Sequence, residues 1–460
     1  MPCTADPSAC NLAALRQAEA RDGALPPDRR RALLDSLAAT LLRQADAVAA
    51  AIDADFGGRS TEESLLAEVK LVLDAARHAR RHLHRWARPR RVGVPFPFWP
   101  ARARHEPVPK GVIGIMAPWN YPLQLALLPA VDALAAGNRI AVKPSEATPR
   151  TAALIAELLA EALGEDIARV VQGGPEVAAR FAAQPWDHLV FTGGTETGRR
   201  VMRAAAENLV PLTLELGGKC PAVVLPGADL TKAAQAILAG KAVNAGQTCI
   251  APDTVLLLGH APADFLAACR ATGIGAAETA VVNDRQAARL DALLAGATLT
   301  PLAADGPGCG SGVMPTGRCR ALALAEAPPD HPLHATEIFG PVLAVVPLSD
   351  LAAAIAWIGA RPPALAIYLF GASRAETAAI AAGTRSGAIV AGRCVEYAAF
   401  PALAFGGVGA SGFGRRNGEQ GFIAFSNLRA RVEHGPWSLS RLLDPPRDAR
   451  GKALIRRLLR

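Results

Sequence analysis

Between residues 111 and 194 the chain alternates short β-branched runs with helical stretches, and this alternation restricts the fold more than any other feature. "GVIGIMAP" (111 to 118) reads as a buried strand, "PLQLALLPAVDALAAG" (122 to 137) as a helix stopped by Gly137, and "RIAVKP" (139 to 144) as the next strand. A helix from about Thr148, the strand "ARVVQGG" (168 to 174), another short helix and the strand "DHLVFTGG" (187 to 194) follow. Strands separated by helices specify βαβ units and a parallel sheet, hence an α/β fold. In such sheets ligands bind beyond the carboxyl ends of the strands. The residues just after each strand are therefore the first candidates for function.

Upstream, residues 12 to 90 read as long amphipathic helices, with Leu33, Leu34, Leu37, Leu41 and Leu42 at helical spacing. The Pro-rich stretch 90 to 111 breaks that pattern and suits extended or edge structure. A length of 460 residues predicts two or three domains, and 51% hydrophobic against 20% charged residues marks a globular chain. The net charge of +8 comes mostly from arginines spread along the chain, which reads as solvated surface. Without repeated aromatic-basic interleaving, nucleic acid is not an expected partner. Eight cysteines show no CxxC pair and no regular spacing. There is no secretory signal pattern at the N-terminus and no apolar run of about 18 residues. Free thiols in a reducing cytoplasm, with neither disulfide nor metal, are the expectation.

Chemistry-bearing residues gather at the strand ends. "PWNYP" (118 to 122) fixes Asn120 beside Trp119 and Tyr121, as a turn residue or as an amide donor aimed at a ligand. "KPSE" places Lys143 and Glu146 at the next strand end; the lysine suits a ribose hydroxyl or phosphate, or is a surface cation. "GGTETG" runs from Gly193 to Gly198 before a helix, where small residues allow close approach to a pyrophosphate, though a plain turn explains it equally. Glu215 in "LTLELGGKCP" lies in an apolar strand, which raises a carboxylate's pKa and suits a general base, or it is paired to a cation. "EIFGPV" sets Glu337 and Phe339 beside a Gly-Pro turn. In "NAGQTCIAPD", Cys249 is a buried space-filler or a nucleophile on a tight loop.

PWNYP, KPSE, FTGGTETG, LELGGK, GQTC, EIFGPV and FGGVGASGFG, in that order, resemble the aldehyde dehydrogenase superfamily over residues 12 to 435. The likeness is to its class 3 branch, nearest to bacterial coniferyl aldehyde dehydrogenases. It implies a Rossmann-type cofactor domain (12–95 and 110–211), an α/β catalytic domain (212–404), a small β oligomerisation extension (96–109 with 427–436) and a basic amphipathic tail (437–460). It implies Cys249 as nucleophile, Asn120 as oxyanion donor and Glu215 as the base that activates water. Lys143 and Glu337 would contact the ribose hydroxyls, Phe339 would wall the nicotinamide, and Gly193 and Gly198 would lie at the pyrophosphate. NAD or NADP is the implied cofactor, with Glu146 placed to disfavour a 2′-phosphate and so to favour NAD. The implied substrate is an aldehyde, coniferyl or another aromatic or medium-to-long-chain one, in a channel lined by Trp119 and Tyr121. A homodimer is implied, and the tail limits any membrane contact to a peripheral one.

The chain departs from the family pattern at Gly392 and Arg393, where Asn-Asp is usual, at Ala404 in place of Pro, and at Asn417 in place of His. The missing Asn normally braces the active-site loop, so looser geometry and weaker or narrower activity are the expectation. Two alternatives follow: a CoA-acylating relative, against which Glu215 speaks, and a catalytically weakened binding or structural protein.

Overall fold

The computed structural model describes residues 6–303, 317–437 and 439–459. The segment Gln124–Ala136 is apolar apart from Gln124 and Asp132, and its helix is buried all round and forms the centre of the first lobe. The N-terminal helices Pro27–Arg43 and Leu71–Trp86 pack around it through Leu33, Leu34, Leu37, Leu41, Val72 and Leu83. Leu42 falls outside that stripe and is 58% exposed. Beside this layer lies a six-stranded sheet in the order 412–413, 212–215, 188–192, 112–116, 139–143, 168–170, parallel except for the short edge strand Gly412–Phe413. The chain builds outward from Val112–Met116 to one side, then returns to the other side of it with His188–Thr192. The two neighbours at which the order reverses thus carry Asn120 and Gly193 just past their carboxyl ends.

Leu212–Glu215 pairs in parallel with His188–Thr192 and so belongs to this first sheet, whereas the sequence reading began the catalytic domain at 212. The chain changes sheet only after Gly217 and Gly218, at Pro221. The second sheet has seven strands, ordered 298–301, 323–326, 342–348, 254–258, 221–224, 364–370, 386–391. After it the chain returns to the first lobe, where helix Gly418–Ala424 packs on Gln124–Ala136 and Gly421 lies against the Asp132 carboxylate.

The Pro-rich stretch forms Arg102–Pro109, which pairs antiparallel with Ser426–Glu433 on one side and with Arg90–Val92 on the other. The outer edge of Ser426–Glu433 is exposed along nearly its whole length. The tail forms the helix Ala449–Leu458, whose Gly451 seats on the Leu442 carbonyl while Leu458 and Leu459 stay exposed. No helix among the described residues is long and apolar enough to cross a membrane. One expectation needs correction. Cys10 and Cys319 are each disulfide-bonded, whereas Cys220, Cys249, Cys269 and Cys394 are free. Pairing depends on Cα separation in space, and the sequence spacing carries no sign of it.

Candidate active site

The carboxyl end of the first sheet meets the amino end of the second. At that junction a cavity of about 270 Å³ is lined by Trp119, Asn120, Glu215, Cys249, Glu337 and Phe339, among others. Six residues from four separate stretches of sequence are thereby brought together.

Cys249 sits on a loop whose backbone is under strain. Asn244, Ala245 and Gly246 all take left-handed φ values, 51°, 50° and 69°. Such a run costs free energy unless the surroundings over-determine it. Here they do. The Asn244 side chain donates to the Asn120 carbonyl (2.7 Å) and its N–H donates to the Glu63 carboxylate (2.8 Å). The buried Gln247 amide donates to the carbonyls of Asn244 and Ala280 and accepts from the Val282 N–H. Gly246 has the Gly340 carbonyl where a Cβ would lie. On the far side of the thiol, the Tyr368 hydroxyl donates to the Ile250 carbonyl (2.5 Å) and the Cys220 thiol donates to the Cys249 carbonyl (3.4 Å).

Asn120 is buried and its amide donates to the Gln247 carbonyl (2.9 Å). Its loop is clamped from beneath by a buried ion pair. Arg59 and Glu68 are 3.0 Å apart with side chains fully shielded. Arg59 also donates to the Asn120 carbonyl (3.1 Å), and Glu68 accepts from the Leu123 and Gln124 N–H groups that open helix Gln124–Ala136. Glu68 lies on the π-turn Leu65–Lys70, which carries it inward. Replacing Arg59 by Met strands that carboxylate in the core. We expect a loss of about 3–5 kcal/mol of folding stability, read by denaturant unfolding.

Burial pushes the Cys249 thiol up to about 12, with Glu337 and Glu215 adding to the rise and Arg416 opposing it. The thiol is half-buried and protonated at neutral pH in the free protein, so its activation calls for a nearby base. Burial also raises Glu215 to about 7, with Arg416 and Arg415 opposing, and Glu337 to about 8, with Asp253 adding to the rise. Neither Glu215 oxygen has a hydrogen-bond partner. A carboxyl that titrates near neutrality with free lone pairs suits proton transfer.

Two further cavities flank this centre. One, of about 500 Å³, opens on the other side of Cys249 and is walled by apolar side chains including Leu66, Leu71, Leu125, Val243 and Ile250, with Tyr121 and Arg416 among them. Tyr121 is buried there, its hydroxyl hydrogen-bonded to Thr248 (2.7 Å). The other, also about 500 Å³, holds Lys143, Glu146, Gly193 and Gly194 with Trp119 at its inner end. Lys143 is buried and donates to Glu146 (3.2 Å) and to the Pro144 carbonyl (2.9 Å). Gly194 is the N-cap of helix Thr195–Ala206 and offers no capping side chain, so that helix start is open to the cavity. Trp119 meets Phe339 edge-on at 5.4 Å, forming the partition between this cavity and the central one.

The chain matches the family described as "Aldehyde dehydrogenase family" over residues 5–430. The chain belongs to the aldehyde dehydrogenase family. It is 37% identical over 457 residues to a coniferyl aldehyde dehydrogenase of Pseudomonas sp. strain HR199, covering 96% of this chain and 94% of that one. It is 33% identical to human aldehyde dehydrogenase family 3 member B1, covering 97% and 96%. Among solved structures it superposes on the substrate-bound state of Staphylococcus aureus AldH with a TM-score of 0.91 at 29% identity, covering 98% and 99%. The fold is therefore the aldehyde dehydrogenase fold, and the family's reaction is the NAD(P)-dependent oxidation of an aldehyde.

Against this family background two positions named from sequence lie elsewhere. Trp119, expected beside Tyr121 in the substrate channel, lines the Lys143 cavity and the central one and is absent from the wall of the apolar chamber that holds Tyr121. Gly198 is inside helix Thr195–Ala206, not ahead of it, and packs against Leu216; it is absent from the cavity wall that holds Gly193. The helix starts four residues earlier than the glycine spacing implied because Gly194 serves as its cap. Other residues of this aldehyde dehydrogenase were missed from sequence. Arg59, Glu68 and Tyr368 brace the two loops, Arg200 and Arg285 add cations to the Lys143 cavity, and Arg416 stands beside Glu215. Buried charge facing a helix start would have been the signal for Glu68; the others had none. The unusual Gly392 takes a left-handed φ of 79°, and Arg393 pairs with Glu396, both of them on the wall of the apolar chamber. The Cys249 loop, whose usual Asn brace is missing, is held by Tyr368. Asn417, at φ 72°, gives its N–H to Asp132 (2.8 Å). Nothing in the structure gives Ala404 a particular role.

Proposed function

We propose that this aldehyde dehydrogenase oxidises an aromatic or medium-to-long-chain aldehyde to its acid through a hemithioacetal and then a thioester on Cys249. The observation that carries the reading is the meeting of Cys249, Glu215 and Asn120 in one cavity, with the apolar chamber on one side and the Lys143 cavity on the other. The Asn120 amide and the Cys249 N–H stabilise the oxyanion as the thiol adds to the carbonyl. Bound NAD or NADP supplies the hydride acceptor. Glu215 then takes a proton from the water that hydrolyses the thioester. Replacing Asn120 by Ala is expected to lower kcat by roughly 10²–10³-fold with little change in cofactor affinity.

The residues present fit a dinucleotide. The uncapped helix start at Gly194 suits a pyrophosphate. Lys143, Arg200 and Arg285 supply cations, and Lys143 and Glu337 are the candidates for the ribose hydroxyls. Phe339 stands beside Cys249 as the wall for the nicotinamide. Glu146 lies on the same wall as Lys143 and is our reason for favouring NAD over NADP. The apolar chamber and the coniferyl aldehyde dehydrogenase relative make a phenylpropenyl aldehyde the first substrate to try.

The exposed edge of Ser426–Glu433 is the proposed homodimer contact, since an unpaired strand edge invites another chain. Membrane contact is limited to a peripheral one through helix Ala449–Leu458, and a cytoplasmic site is proposed from the four free thiols, with the two disulfide-bonded cysteines weighing against it. The test is NADH and NADPH formation with coniferaldehyde, benzaldehyde, hexanal and decanal, with product analysis in the presence and absence of CoA. NADH with coniferaldehyde, and free acid in both arms, is the expected result. An acyl-CoA product overturns the hydrolytic reading, and cofactor binding without turnover on any aldehyde overturns the catalytic one.

A further inference from the structure

Arg416 is the charge that the reaction scheme above leaves unused. Its side chain is only 4% exposed, and its Nε and Nη1 have no hydrogen-bond partner. A buried guanidinium with two nitrogens unpaired among the described residues is costly and calls for a reason. Its plane lies over the Phe405 ring at 4.4 Å, Phe405 stacks in turn on Tyr397, and the backbones of Arg416 and Phe405 bond to each other in both directions. The guanidinium is thus held in place by an aromatic platform and not by anions. From that platform its Nε stands 4.0 Å from Glu215 Oε1.

That separation matters. A bidentate arginine would occupy the carboxylate's lone pairs and make it a poor base. At 4.0 Å the cation favours the ionised carboxylate through space while both oxygens keep their lone pairs free, as their lack of partners shows. The neighbouring Arg415 acts in the same direction but more weakly, its guanidinium tied to the carbonyls of Gly407 and Gly414. The other titratable groups acting on or feeling Glu215 are Cys249 and Tyr397, neither of which is a cation.

We infer that Arg416 is a positioning residue for the hydrolytic half-reaction, favouring the ionised form of Glu215 without hydrogen-bonding it. The inference rests on Glu215 being the base of the proposed reaction. In that step Glu215 accepts a proton from water as the water oxygen bonds to the thioester carbon. The C–S bond then breaks, Cys249 leaves as thiolate, and the acid is released, with no oxidant needed.

The test treats the 460-residue protein with p-nitrophenyl acetate to acylate Cys249 as a thioester without cofactor. Its decay is then followed against pH by quenched-flow mass spectrometry. In Arg416→Gln the acid limb of deacylation is expected to move up by about one pH unit, lowering the rate at pH 7 by roughly fivefold and well below pH 7 by roughly tenfold. Arg416→Lys, which keeps the charge, is expected to bring the limb back most of the way. An equal loss of rate at every pH, with the limb unmoved, would mean that Arg416 only packs on Phe405 and overturns the inference. If Arg416→Gln fails to fold, Phe405→Leu, which frees the cation from its platform, is expected to shift the limb in the same direction by less; an unmoved limb there overturns the inference as well. Glu215→Gln is the control. Deacylation at the normal rate in that variant overturns the assignment of the base itself, and with it the proposed hydrolysis, so the two failures are told apart.

Discussion

Replacing Cys249 by Ala is expected to lower aldehyde turnover by roughly 10⁴-fold or more, to the level of background, while leaving the fold and NAD binding intact. The expectation follows from covalent chemistry. Hydride can leave an aldehyde carbon only after a nucleophile has added to it, and Cys249 is the thiol in the central cavity. Cys220 is fully buried and points its Sγ at the Cys249 carbonyl, and Cys394 on the wall of the apolar chamber is buried and absent from the central cavity, so neither substitutes. The change removes one sulfur from a half-buried position that bears no structural hydrogen bond from its side chain, and the loop is held by Gln247, Tyr368 and Asn244. NADH formation by absorbance and NAD binding by calorimetry measure the two halves separately. Turnover that survives the change would remove the thioester mechanism altogether.

Replacing Glu215 by Gln is expected to preserve the first burst of NADH and to slow the steady rate by roughly 10²–10⁴-fold, because the base acts on water after hydride has left. Burial holds the Glu215 carboxyl at about 7, against cations that pull it down. A base works in its deprotonated form. The steady rate of the unmodified enzyme should therefore fall as pH drops through about 7, tenfold per pH unit well below it, while the burst follows other groups. Gln is the same size and neutral, so it also lightens the burden of a buried charge, and no loss of stability is expected. A burst lost together with the steady rate would instead place Glu215 in thiol activation.

The departures at Gly392 and Arg393 bear on both results. They were expected to loosen the active-site loop, yet Tyr368 bridges Ile250 on that loop to the Val395 N–H behind it. A rigid tyrosine hydroxyl thus ties the two segments together. Ordinary burst amplitude would show that the brace suffices.

The sequence by itself determined a good deal of this. The alternating strands and helices from 111 to 194 fixed a parallel sheet, because βαβ patterning is a local property written in residue type and spacing. Ordered motifs placed Cys249, Glu215, Asn120, Lys143, Glu337 and Phe339 as the residues to watch, since each stands where a turn or strand end must present it. What local pattern could not decide was how segments far apart in the chain face each other. The strand Leu212–Glu215 joined the first sheet through pairing with His188–Thr192, which no composition signals. Gly198 moved from the cavity into helix packing because a single-residue cap at Gly194 set the helix start. Arg59 and Glu68, nine positions apart, became a clamp on Asn120, and Arg416 came to rest 4.0 Å from a carboxylate some two hundred residues earlier in the chain. Buried charges choose their partners by distance in the folded state, where the low dielectric makes them matter, and that distance is a property of the tertiary structure alone.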